Sequence, residues 1–161
     1  MGGAGRMRAL RQWWPAILWA LAIWLFSTDL FSSRSTSQIL LPFLKWLFPA
    51  ASAKTLWAIH GYIRKAGHVT EYFVLSLLVL RGVRGRESGW RWTWGLATLA
   101  MVAGYAALDE VHQLFVASRG ASVRDVLLDT ASGGLAQTAA WWRARRGNRR
   151  GNIAGIHIHD K

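Results

Sequence analysis

Between Trp92 and Leu108 the chain reads WTWGLATLAMVAGYAAL, with no charged side chain, and any fold must find a place for that run. A helix that crosses the hydrocarbon core of a bilayer needs about 20 mostly apolar residues, with a tolerated range of roughly 17 to 25. Three further stretches approach the same pattern. Val126 to Trp142 contains only Asp129, and Trp13 to Phe26 is apolar throughout and extends through Ser27 and Thr28 to Asp29. Leu56 to Leu80 is apolar overall but is interrupted by His60, Arg64, Lys65, His68 and Glu71. Charged residues make up 17% of the chain, against about 25% in soluble domains. The pattern predicts an all-α, polytopic membrane protein with four transmembrane helices.

Between the first and second spans, SSRSTSQ (Ser32 to Gln38) is a polar, turn-rich segment suited to capping a helix. Ile39 to Pro49, ILLPFLKWLFP, is too short to span and carries Lys45 in its middle. It predicts an interfacial or re-entrant piece, and Pro42 and Pro49 favour a broken element. The chain therefore divides into a basic amino terminus (1–12), a transmembrane domain (13–142) and a basic tail (143–161), disordered from Gly147 onward for want of any period. Arginines ahead of an apolar core also describe a signal peptide, but STDLFSS follows without a small-x-small site, which favours a retained helix.

Orientation follows from the cations, because cytoplasmic loops retain positive charge during insertion. Arg6, Arg8 and Arg11, then Arg81, Arg84, Arg86 and Arg91, then Arg143, Arg145, Arg146, Arg149 and Arg150 flank the spans on one side. Both termini are expected in the cytoplasm, in a cell inner or cytoplasmic membrane. Tryptophan prefers the headgroup level, and Trp13, Trp14, Trp90, Trp92, Trp94, Trp141 and Trp142 fall at the same ends. Membrane flanks thus account for the formal net charge of +12, so the bilayer is the expected partner and nucleic acid is not. The absence of cysteine removes disulfides, thiolate metal sites and a cysteine nucleophile. Nothing in the chain fixes an oligomeric state.

The chain has only eight acids, and all but Glu87 and Asp160 lie in or at the outer ends of the predicted spans. A charge at that depth costs a few kcal/mol, about 2.5 to 3.5 on insertion scales, unless it is paired or wetted. Helical spacing gathers Lys65, His68, Glu71, Tyr72 and Ser76 on one arc of the second span. At the end of the third, Tyr105, Asp109, His112 and Gln113 share a side, with Glu110 turned further round. On the fourth, Ser122, Asp125, Asp129 and Ser132 form a stripe, and Gly133 and Gly134 leave room for a close neighbour. Three facing stripes predict either a structural network that fixes helix registry or a polar pocket open to the outer face.

Lys65, Arg119 and Arg124 nearly balance Glu71, Asp109, Glu110, Asp125 and Asp129; the surplus acid calls for a raised carboxyl pKa, a protonated histidine or a bound cation. His68, Glu71, Glu110 and His112 are the candidate ligands for a divalent metal such as zinc, although they lack the HExxH spacing. No GxSxG, P-loop or dinucleotide-binding glycine motif is present.

LFSTDLFSSRSTS, RKAGHVTEYFVLSLLVLR and AALDEVHQLFVASRGASVRDVLLDTASG resemble, in that order, the motifs of VanZ-like membrane proteins. The resemblance covers Trp14 to Gly134, and the pairing of Lys-x-x-His-x-x-Glu-Tyr with Asp-Glu-x-x-Gln-x-Phe is specific. It implies a functional set of Ser27, Lys65, His68, Glu71, Tyr72, Asp109, Glu110, His112, Gln113, Arg119, Ser122, Asp125 and Gly133. The chain departs from the common pattern at Val69, where relatives have Phe, and at Ala117 and Ser118, where they have Pro-Gly. The founding member is associated with low-level resistance to the glycopeptide teicoplanin, and the family carries no established reaction to transfer.

Two functions are therefore expected to compete. In the first, Ser27, Lys65, Tyr72, Gln113, Arg119, Ser122, Asp125 and Asp129 bind a lipid-linked or peptidoglycan-type head group of the cell envelope, with an effect on teicoplanin susceptibility. In the second, His68 or His112 is a general base and Glu71, Asp109 or Glu110 an acid or metal ligand, in a membrane-embedded hydrolase or transferase. A proton-coupled transporter is disfavoured by four short helices without inverted repeats.

Overall fold

The computed structural model describes residues 3–28, 33–116 and 121–156, with side chains given for 5–28, 33, 35–116 and 121–147. The fold is all-α, as the apolar runs require. Among the described residues there are five helices: α1 (Gly3–Phe26), α2 (Ser33–Leu47), α3 (Ala53–Arg84), α4 (Trp92–Gln113) and α5 (Val123–Ile156).

The third helix is the organising element. It packs against each of the other four, and α5 also packs against α4. Ser52 caps its start, its hydroxyl accepting from the Thr55 N–H at 3.2 Å. Its end is set by Gly85, whose φ of 62° lies where a side chain is disfavoured. Ala16 and Ile23 of α1, Tyr72, Leu75 and Val79 of α3, and Val102 and Ala106 of α4 form the core. Leu18, Leu21, Leu25, Leu96, Leu108, Leu127 and Leu135 instead face outward.

Close approach depends on two glycines. The Trp13 ring lies where a Cβ on Gly82 would sit, 2.7 Å from it, joining α1 to the end of α3. A Cβ on Gly133 would meet Val102 Cγ1 at 2.9 Å, so α5 and α4 touch there as the small-residue pair suggested. Gly134, its neighbour in sequence, has open space instead.

Two expectations change, and a third is met only in part. The element after the first span is one continuous helix of 15 residues, not a broken one. Pro42 removes one backbone donor from it, yet Ser37 and Leu44 on either side are both buried, and packing carries the helix across. Pro49 does act as a stop, in the turn before α3, where Lys45 Nζ donates to the Pro49 and Ala51 carbonyls at 2.9 and 3.2 Å. Second, α5 continues past Trp142 to Ile156 through the segment expected to lack structure. Arginine is a strong helix former, and the run after Trp142 extends a helix already nucleated. Third, among the described residues one helix, α3, is long and apolar enough to cross a membrane by length and composition. Trp92, Trp94, Gly95 and Tyr105 dilute the apolar run of α4, and α5 gives way to arginines.

Candidate functional site

The polar residues of α1, α3, α4 and α5 meet at one end of the bundle. Asp109 is at the centre and almost wholly buried. Its Oδ2 accepts from Ser27 Oγ at 2.8 Å and from Gln113 Nε2 at 3.0 Å, while Oδ1 has no hydrogen-bond partner among the described residues. One carboxyl thus holds the end of α1 to the last turns of α4. Tyr105 adds a second tie, donating from its hydroxyl to the Ala20 carbonyl, and Trp24 stacks on His112 with ring centroids 4.0 Å apart.

On the α3 and α5 side, His68 Nδ1 lies 3.7 Å from Asp129 Oδ1, with side chains 20% and 1% exposed. The imidazole is therefore at the rim and the carboxyl on the floor. One turn further along α3, Trp19 of α1 donates to the Glu71 carbonyl at 2.9 Å. Deeper in the bundle Ser76 donates to the Gly133 carbonyl at 3.0 Å and accepts from Gln137 Nε2 at 2.8 Å.

Tyr72 lies between the two halves. It is completely buried, its ring is 6.3 Å from that of Tyr105, and Asp109, Asp129 and Glu71 are within electrostatic reach of its hydroxyl. That hydroxyl has no hydrogen-bond partner among the described residues, and neither Asp129 oxygen has one. Buried polar groups are nearly always satisfied, so several unmet in one place need a reason.

Glu110, expected further round the helix than Asp109, is buried as well, under the residues that lead into α5. Its Oε2 accepts the Ser122 backbone N–H at 2.6 Å.

Most of the expected residues are brought together: Ser27, His68, Tyr72, Asp109, Glu110, Gln113 and Asp129 by the contacts above. Glu71, Ser122 and Asp125 are half-buried around them. Lys65 and Arg124 are exposed. Arg119, Asp29, Ala117 and Ser118 lie outside the described residues. Among the described residues no group of three or more His, Asp or Glu side chains is placed to hold a metal ion. Two of the four candidate ligands have other neighbours: His112 stacks on Trp24 and His68 faces Asp129. Gln137, Trp19 and Trp24 were not anticipated, since a single glutamine or tryptophan in an apolar run gives no periodic signal.

The VanZ/LLP1 family model matches residues 13–144, and the chain belongs to that family. VanZ-like proteins are membrane-associated. Comparison with curated proteins and with solved structures gives no match.

Proposed function

We propose that this VanZ-family protein crosses a cytoplasmic membrane four times, with α1, α3, α4 and α5 spanning, α2 at the outer surface and both termini in the cytoplasm. The arginines at the ends of α1, α3 and α5, the tryptophans beside them, and the outward-facing leucines of α1, α4 and α5 support this reading.

The polar cluster then lies at the outer ends of the spans and binds the polar head group of an envelope component, of lipid-linked or peptidoglycan-precursor type. The observation that carries this is the Tyr72 hydroxyl, buried beside carboxyl groups with hydrogen-bonding capacity left over. A hydroxyl and carboxyl oxygens suit the sugar hydroxyls and amides of such a head group. Lys65 on the exposed face and Arg119, carried by the family resemblance, supply donors for phosphate or carboxylate. An influence on teicoplanin susceptibility follows if the ligand is a cell-wall precursor.

Tyr72→Phe is the informative variant. It removes a hydroxyl without a hydrogen bond in the described fold, so a structural network would keep its stability and lose nothing. A head-group site would keep its stability and lose affinity for an undecaprenyl-diphosphate-linked precursor, measured on purified protein by native mass spectrometry. Equal precursor binding by wild type, Tyr72→Phe and Arg119→Ala would end this reading.

His68 against Asp129 supports a second reading, a membrane-embedded hydrolase or transferase, because a carboxyl that orients an imidazole is the usual support for a general base. Precursor or lipid turnover that is lost in His68→Ala, with binding intact, would separate catalysis from binding.

A further inference from the structure

At the opposite end of the bundle, where α3 ends, α4 begins and α5 emerges, a cavity of about 1150 Å³ opens between the three helices. Its lining includes Arg81, Arg84, Arg91, Arg143 and Arg145, and among the described residues no acid lines it. Arg91 is paired with Glu87 at 2.9 Å, and Arg145 lies over the Trp141 ring, 4.3 Å from its centroid. Among the described residues no acid pairs with Arg81, Arg84 or Arg143.

A second hollow, about 280 Å³, shares Trp90, Trp92 and Trp141 with the first. It continues between α4 and α5 along Gly95, Leu96 and Leu99 on one side and Thr138 and Gly134 on the other. Seven helical residues at about 1.5 Å each give a groove of roughly 10 Å running away from the arginines. It exists because Gly134 has no side chain and nothing within 4 Å of where a Cβ would sit. The polar atoms of Gln137, its one amide, are taken up by Ser76 and by the Trp90 N–H at 3.2 Å. The groove therefore presents an apolar wall, and the space above it a cluster of guanidinium groups of which Arg81 donates to the Arg11 carbonyl at 3.5 Å and, among the described residues, Arg81, Arg84 and Arg143 have no acidic partner.

We propose that this end of the protein binds one anionic glycerophospholipid of the membrane, its phosphate among Arg81, Arg84 and Arg143 and one acyl chain in the groove between α4 and α5. Guanidinium forks match phosphate oxygens in a bidentate geometry that ammonium groups do not offer. Basic pockets between helices on the cytoplasmic side are a general means of selecting anionic lipids. The inference goes beyond the polar cluster at the other end and does not depend on what that cluster binds.

Topogenic arginines alone would attract anionic lipid without a built site, and the test separates the two. Full-length protein in mild detergent is titrated with phosphatidylglycerol, and with phosphatidylcholine of the same chains, and adducts are counted by native mass spectrometry. A single tight phosphatidylglycerol adduct is expected, absent with phosphatidylcholine. The double variant Arg84→Gln/Arg143→Gln should lose at least tenfold in affinity, whereas Arg86→Gln, which removes a neighbouring exposed charge outside the cavity, should match wild type. Gly134→Leu fills the groove without altering charge, meets no atom at its Cβ, and should also abolish the adduct. Water-soluble glycerol phosphate should not displace the lipid. Equal binding of the two lipids, an Arg86→Gln loss as large as the double variant's, unchanged binding in Gly134→Leu, or displacement by glycerol phosphate would each overturn the proposal.

Discussion

Ser27 and Asp109 are joined by a hydrogen bond of 2.8 Å between the end of α1 and the last turns of α4, both side chains being almost fully buried. These two helices otherwise make little backbone contact, since α1 packs chiefly on α3. The bond therefore shares the registry between them with the Tyr105 hydrogen bond to Ala20 and the Trp24–His112 stack. Ser27→Ala should lower the unfolding midpoint in detergent, and a double-mutant cycle with Asp109→Ala should give a coupling of about 1 kcal/mol, within the range for interhelical hydrogen bonds in membrane proteins. Strict additivity would mean that the contact contributes no pairwise energy.

His68 and Asp129 make a different prediction, because one partner is at the rim and the other is sealed. Truncating His68 leaves Asp129 buried without its imidazole, and an unpaired buried carboxyl is expensive. His68→Ala should destabilise by about 1 to 3 kcal/mol, and adding Asp129→Asn should restore part of the loss, since Asn has no charge to strand. Thermal unfolding of the two variants checks this; a double variant less stable than His68→Ala refutes it.

The contact between Gly133 and Val102 is steric. A methyl group on Gly133 would lie 2.9 Å from Val102 Cγ1, while one on Gly134 would meet nothing. Gly133→Ala should therefore cost about 1 to 3 kcal/mol of stability, and Gly134→Ala little. Val102→Ala in the Gly133→Ala background should be less harmful than the two losses summed, which a midpoint series would show.

Much of this site was legible because ionisable residues are scarce in apolar runs, and periodicity alone placed Tyr72, Ser76, Asp109, Gln113, Asp129 and Ser132 inward. The partner of Glu110 was not legible: the Ser122 N–H that it accepts comes from beyond the end of α4, and that meeting is a tertiary property. The same holds for Lys65, which shares a helical arc with His68 and Tyr72 but stays exposed. Pro42 misled for a related reason, since a proline weakens a helix by a fixed local amount while burial of Ser37 and Leu44 holds it together. The pairing of His68 with Asp129, not Asp125, depends on the rotation of α5 against α3, which spacing within one helix does not determine.

The topology makes the last prediction, on which the placement of both proposed sites rests. The chain has no cysteine, so single introduced thiols report without background. Ser88, in the connection between α3 and α4, and Ala121, just before α5, are both exposed. They sit at opposite ends of α4, a helix of 22 residues and about 33 Å, close to the hydrocarbon thickness of about 30 Å. A membrane-impermeant maleimide applied to intact spheroplasts should label Ala121→Cys and leave Ser88→Cys unmodified until the membrane is opened. Labelling of both from outside would show that α4 does not span, and labelling of Ser88→Cys alone would invert the orientation and place the polar cluster in the cytoplasm.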